Sequence, residues 1–193
     1  AIVSNIDKKE VNQNPPLPFD LTTLQTEAYA VLGLTPKITL EIAQNLYTNS
    51  YISYPRTSSQ KLPESINYKK ILKKLGTHFT KECEFLLSKE KLKPVEGAKT
   101  DPAHPAIYPT GELPKKLESR EAGLFELIVR RFFSVFGESA LRETVTIEID
   151  VNKELFICKG TRTIRKGWHE LYGRFVHLDE EELPAVVKGD VIK

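Results

Sequence analysis

The run Ser50-Tyr51-Ile52-Ser53-Tyr54-Pro55-Arg56-Thr57-Ser58-Ser59 gathers side chains that phosphate chemistry uses. The Tyr54 hydroxyl is a weak nucleophile at neutral pH, with an ordinary pKa of about 10, so it needs help to attack anything. Two residues on, Arg56 offers a planar guanidinium that grips phosphate with two parallel hydrogen bonds. Thr57, Ser58 and Ser59 add hydroxyls. Some fifty residues later, His104 sits in the proline-rich stretch Asp101-Pro102-Ala103-His104-Pro105-Ala106-Ile107-Tyr108-Pro109. Tyrosine, arginine and histidine together could attack a phosphodiester and keep hold of the broken end. The plainer alternatives are a packing tyrosine, an Arg56 spent in a surface salt bridge and a loop histidine bonded to its own backbone. Ser58 and Ser59 could equally cap a following helix.

The elements that must position these groups are legible in outline. Residues 1–10 read as one strand, and Asn14-Pro15-Pro16-Leu17-Pro18 is a connector unfit for helix or central strand. Thr22 or Thr23 caps a helix with Leu24, Ala28 and Val31 on one side, and Gly33 ends it. Thr35 caps a second helix with Pro36 in its first turn and Ile38, Ile42 and Leu46 on one face. Two helices joined by a short glycine-containing turn fit a helix-turn-helix, or an ordinary helical hairpin. Residues 51–54 could form an extended wing beside them. Residues 64–76 and 79–91 read as lysine-rich helices, suited to attracting phosphates or simply to a solvated face. Residues 94–118 form a long loop with five prolines. Ser119 caps a helix reaching Phe136, apolar on more than one face and therefore central, with Gly137 after it.

Beyond residue 140 the period changes from helical to alternating. Val145, Ile147, Ile149 and Val151 fall on one side, Thr144, Thr146, Glu148 and Asp150 on the other. Asn152-Lys153 is a turn, residues 155–157 return, and further strands are expected at 173–178 and 190–193. The fold class is therefore α+β. A mainly helical domain over residues 14–140 is inserted between residues 1–13 and 141–193 of an antiparallel β domain.

With 193 residues, 40% hydrophobic and 28% charged, the chain can bury a core and keep a soluble surface. No apolar run approaches the ~18 residues of a membrane span, so no membrane partner is expected. Cys83 and Cys158 lie far apart without metal-ligand spacing and read as reduced thiols of a cytoplasmic protein. A net charge of +2 decides nothing about nucleic acid. The chain begins at Ala1 and has no methionine, so it reads as a piece of a longer protein.

Four segments occur in order: residues 19–25 (Phe-Asp-Leu-Thr-Thr-Leu-Gln), 42–47 (Ile-Ala-Gln-Asn-Leu-Tyr), 51–57 (Tyr-Ile-Ser-Tyr-Pro-Arg-Thr) and 103–107 (Ala-His-Pro-Ala-Ile). Together they resemble the active-tyrosine region of type IA DNA topoisomerases, especially archaeal members and the topoisomerase III branch. Where bacterial members commonly carry an aspartate, this chain has Ser58. The resemblance implies a tyrosine-bearing cap with a winged helix-turn-helix like that of the catabolite activator, inserted into a β-rich arch. It implies Tyr54 as the nucleophile forming a 5′-phosphotyrosine link, Arg56 on the scissile phosphate, and His104 orienting phosphate or assisting proton movement. Arg56, Thr57 and Ser59 are the implied DNA-binding residues. It further implies single-stranded and negatively supercoiled DNA as partners, alongside the remaining domains of the full-length enzyme. Magnesium would be bound by an acidic Toprim domain that also carries a partner lysine. No Asp-x-Asp-x-Glu-like cluster occurs here, and Asp179-Glu180-Glu181-Glu182 is a plain acidic run, so no metal site is expected in this chain and it should be inert alone. The competing reading is a non-enzymatic winged helix-turn-helix DNA-binding protein. A tyrosine relaxase or recombinase would need histidine or arginine sets absent from this spacing.

Overall fold

The computed structural model describes residues 1–192 and divides the chain into two compact units. The element order is β1 (Ile2–Gln13), α1 (Leu21–Leu32), α2 (Pro36–Thr48), α3 (Tyr68–Leu75), α4 (Thr80–Leu87), α5 (Ser119–Ser134), β2 (Ala140–Val151), β3 (Glu154–Arg165) and α6 (His169–Tyr172). A short 3₁₀ turn, Gly173–Phe175, follows α6.

One unit takes in Ala1–Asn14, Glu138–His169 and the chain from Val176 on. Its three strands form an antiparallel sheet in the order β1-β2-β3. Asn152 and Lys153 both have positive φ, 54° and 70°, the backbone twist that closes a two-residue hairpin between β2 and β3. Val3 and Ile147 are buried, while Leu155, Phe156 and Ile157 on β3 remain exposed. Of the strands expected later, 190–193 is reduced to an isolated bridge between Ile2 and Val191, and Lys193 lies outside the described residues.

The other unit takes in Pro15–Gly137 and Glu170–Phe175. Its centre is α5, which packs against α1, α2 and α4. Leu124, Leu127, Ile128, Phe132 and Phe133 are fully buried, and Phe125 and Phe136 nearly so. Each such side chain contributes ~1.5–3 kcal/mol on leaving water. Here the expected strand at 173–178 is overturned: residues 173–175 form the 3₁₀ turn. The cause is non-local. The Tyr172 hydroxyl donates to Glu27 (2.7 Å) and accepts from the buried Arg131 (2.7 Å), whose guanidinium also lies 4.1 Å from the Phe19 ring centroid. Such a network outweighs a strand's local propensity.

Two helix starts also differ from the sequence reading. α1 is capped by Asp20 rather than Thr22 or Thr23. Thr23 is the N3 residue of a capping box, its backbone N–H donating to Asp20 Oδ1 (2.7 Å) and its hydroxyl accepting from the Asp20 N–H (3.0 Å). α5 is capped by Glu118, with Ser119 its first residue. Gly33 ends α1 at φ 67°, and the Thr35 side chain caps α2 with Pro36 in its first turn. α3 and α4 are shorter than expected. Lys69, Lys70, Lys73 and Lys74 stand exposed on α3, and Lys74 pairs with Glu112. Among the described residues no helix is long and apolar enough to cross a membrane. Both cysteines are free thiols, Cys83 buried and Cys158 exposed.

Candidate active site

The site lies within the helical unit, where α2 gives way to an extended segment. Ser50 takes a left-handed turn (φ 64°), and the Tyr51 N–H caps the helix end by donating to the Leu46 carbonyl (2.9 Å). From there the chain runs beside residues 106–110. Ile52 bridges Pro109, and the Thr110 N–H donates to the Tyr51 carbonyl (3.0 Å). Ser53 is pinned three ways: its N–H donates to the Tyr108 carbonyl (2.9 Å), and its hydroxyl donates to Ala106 O (3.2 Å) and accepts from the Tyr108 N–H (3.0 Å). Of the wing expected over residues 51–54, the backbone forms one isolated bridge, Ile52 with Pro109; Phe19 makes another with Ile107, outside that segment.

Thr57 is the second anchor. Its carbonyl accepts from the Leu21 N–H (3.0 Å), and its hydroxyl accepts from the Ser59 N–H (3.0 Å) and reaches the His104 carbonyl (3.4 Å). Between Ser53 and Thr57, Pro55 supplies no N–H to satisfy and biases Tyr54 toward extended backbone. In extended chain the side chains alternate. Pro55, Thr57 and Ser59 point inward, while Arg56 and Ser58 are exposed and Tyr54 is half-buried.

This parity sorts the expected site residues. Tyr54 and His104 come together, with ring centroids 4.5 Å apart and planes inclined at 45°. Tyr47, from the last turn of α2, also lies against Tyr54, edge-on with ring centroids 5.2 Å apart. Among the described residues no acidic side chain pairs with the exposed Arg56 guanidinium, so it is not spent in a salt bridge. Thr57 and Ser59 are only 4% and 2% exposed. The Ser59 hydroxyl accepts from the Lys61 N–H (3.1 Å), and neither residue caps a helix, since Asn67 caps α3. Ser58 shares the exposed side with Arg56, and its hydroxyl lies 3.5 Å from Asp101 Oδ2.

Behind the segment sits Asp20, 2% exposed. Its Oδ2 accepts from Gln60 Nε2 and from Lys99 Nζ, both at 3.2 Å. Burial pushes its carboxyl up, but the Thr23 hydrogen bonds and the Lys99 ammonium more than offset this and hold it below the ordinary carboxylate value. The Gln60 backbone pairs with Lys99 and Gly97, so this network fastens the far end of the active segment.

The sequence reading missed Tyr47, Asp20, Lys99 and the bonding role of Asp101. Only Asp101 carried a local signal, an Asp three residues before a histidine with proline between, which suits an Asx turn. Among the described residues no three His, Cys, Asp or Glu side chains converge to hold a metal ion. These residues therefore do not fit a magnesium site.

A family model described as DNA topoisomerase matches residues 1–193. The DNA topoisomerase 1 of Pyrococcus horikoshii is 48% identical over 195 residues, an alignment covering 99% of this chain and 28% of the relative. That of Methanothermobacter thermautotrophicus is 48% identical over 190 residues, covering 98% and 26%. Among solved structures, full-length topoisomerase I from Thermotoga maritima matches with a TM-score of 0.72 at 25% identity, covering 98% of this chain and 32% of that one. The chain spans roughly a quarter of the length of the curated relatives it matches.

Proposed function

This chain belongs to the DNA topoisomerase family, and from that membership and the geometry at Tyr54 we propose that it carries the nucleophile of a type IA strand-cleaving enzyme. The observation that carries the reading is a half-buried tyrosine pinned between Ser53 and Thr57, its ring against His104, with an uncommitted arginine on the same extended segment.

In this mechanism the Tyr54 hydroxyl oxygen attacks a DNA phosphorus. The bond to the 3′ oxygen breaks, that oxygen leaves as a 3′-hydroxyl with a proton, and the phosphate stays on Tyr54 as a 5′-phosphotyrosine. The 3′-hydroxyl later attacks the same phosphorus and restores both starting groups. Because one phosphodiester is exchanged for another, the step is reversible while the ends are held. Charge on the non-bridging oxygens must be met by a fixed cation, and Arg56 meets it. His104 holds the tyrosine ring by a tilted ring contact and presents its imidazole for phosphate contact or proton movement. Thr57 and Ser59 serve DNA binding by fixing the backbone that displays Arg56.

In the longer enzyme, strand passage through the transient gap relaxes negative supercoils, with single-stranded regions as the cleaved substrate. Helices α1 and α2 act as the helix-turn-helix, and residues 51–54 stand in the place of a wing. The helical unit is the tyrosine-bearing cap and the sheet unit part of the arch. Magnesium belongs to the remaining domains, and the enzyme works in the cytoplasm. A purely DNA-binding role would not require the Tyr54 ring to be held against His104.

Relaxation of negatively supercoiled plasmid by the full-length enzyme tests this. Tyr54→Phe keeps the ring and its packing but should relax nothing while still retarding single-stranded DNA. Normal relaxation by that variant would remove the proposal.

A further inference from the structure

Resting on this assignment of Tyr54 and His104, we propose that Asp101 is a positioning residue that sets the His104 imidazole against Tyr54. Asp101 Oδ1 accepts from two successive backbone N–H groups, those of Ala103 (2.9 Å) and His104 (3.0 Å). This closes an Asx turn over Pro102, whose ring fixes one backbone angle within it. The His104 carbonyl is held separately by the Thr57 hydroxyl (3.4 Å). Both ends of the histidine backbone are therefore tied, one to the turn and one to the segment that bears Tyr54. Asp101 reaches that segment too: its Oδ2 lies 3.5 Å from the Ser58 hydroxyl, on the exposed side shared with Arg56.

These bonds lie in the loop and extended segments rather than within a helix or the sheet. Their common product is the placement of one imidazole, whose ring ends 4.5 Å from that of Tyr54. The backbone bonds, Ala103's first and His104's next, hold the Asp101 carboxyl below its ordinary value, so the acceptor is ionised throughout the neutral range. Among the described residues the Asp101 carboxylate bonds to Ser58, Ala103 and His104 and makes no hydrogen bond or ion pair with Tyr54 or Arg56, so it acts through His104.

The test is single-turnover cleavage of a single-stranded oligonucleotide by the full-length enzyme, comparing wild type with Asp101→Ala, Asp101→Asn, His104→Ala and the Asp101→Ala/His104→Ala double variant. Asp101→Ala should slow cleavage by roughly ten- to hundredfold, the order expected when a group at the reacting centre is displaced. Asp101→Asn keeps a side-chain carbonyl for both N–H groups and should recover most of that loss. The double variant should be no slower than His104→Ala alone. Multiplying losses in the double variant would place the action of Asp101 elsewhere and overturn the inference. An Asp101→Asn variant as slow as Asp101→Ala would overturn the turn as its basis, and a wild-type rate in Asp101→Ala would overturn it outright. A wild-type rate in His104→Ala would remove the histidine assignment beneath it, while Tyr54→Phe, run in parallel, reports on the nucleophile independently.

Discussion

Arg56 carries the most exposed part of the account, since its guanidinium has no acidic partner among the described residues and stands next to buried Pro55 and Thr57. A cation preset where phosphoryl charge develops lowers the barrier by about 3 kcal/mol, on the order measured for a lost oxyanion donor. Arg56→Ala should therefore slow cleavage by roughly a hundredfold or more in single-turnover kinetics. Lysine lacks the planar fork, so Arg56→Lys should recover little; a wild-type rate in that variant would reduce the role to generic charge. Thr57 separates inward from outward hydroxyls. Thr57→Val keeps the shape but leaves the Ser59 N–H and His104 carbonyl without their partner. The expected result is a loss of about 1–3 kcal/mol in denaturant unfolding, with the salt slope of DNA binding unchanged. A smaller salt slope would instead make Thr57 a phosphate contact. At this scale Tyr54 and Arg56 were legible as candidates because they share one linear motif, and His104 as a candidate in a second segment some fifty residues on. The parity that turns Thr57 and Ser59 inward was not, because it is set by Ile52 pairing with Pro109, 57 positions away.

At the scale of elements, the start of α1 links stability to pH. The folded-state pKa of Asp20 is lowered, so the unfolded chain takes up its proton first as the pH falls. The contribution of the carboxylate is complete above the ordinary aspartate value of about 3.9 and is lost as the pH drops through the lowered folded value. Asp20→Asn keeps a capping oxygen but gives up the Lys99 ammonium as a charge partner. Its deficit relative to wild type, measured by urea unfolding, should be constant near neutrality and shrink as the pH falls below about 4. A deficit that does not change with pH would show that the charge is not what Asp20 contributes. The helix pair was readable because Gly33, Thr35 and Pro36 punctuate it locally, and the β2–β3 hairpin because the strand alternation breaks at Asn152, a residue type that tolerates positive φ. The cap at Asp20 was hidden among neighbouring residues that cap equally well. Residues 173–175 read as strand because Arg131 and Glu27, which bind Tyr172, come from distant helices.

For the whole molecule, the chain spans roughly a quarter of its relatives' length and carries the tyrosine without a metal-binding cluster among the described residues. Positioning and charge neutralisation dominate phosphoryl transfer, so a tyrosine with one arginine should do little alone. Incubated with supercoiled plasmid and magnesium, the 193-residue chain should give no topoisomer ladder. A ladder that disappears in Tyr54→Phe would mean these residues suffice. The central claim, that Tyr54 becomes covalently bonded to DNA, is met most directly by trapping. Full-length enzyme is incubated with a 5′-extended single-stranded oligonucleotide, denatured rapidly and digested, and the DNA-bearing peptide is identified by mass. The account predicts a phosphodiester on the peptide containing Tyr54, and no adduct from Tyr54→Phe. An adduct on any other residue, or one that persists in that variant, would contradict it.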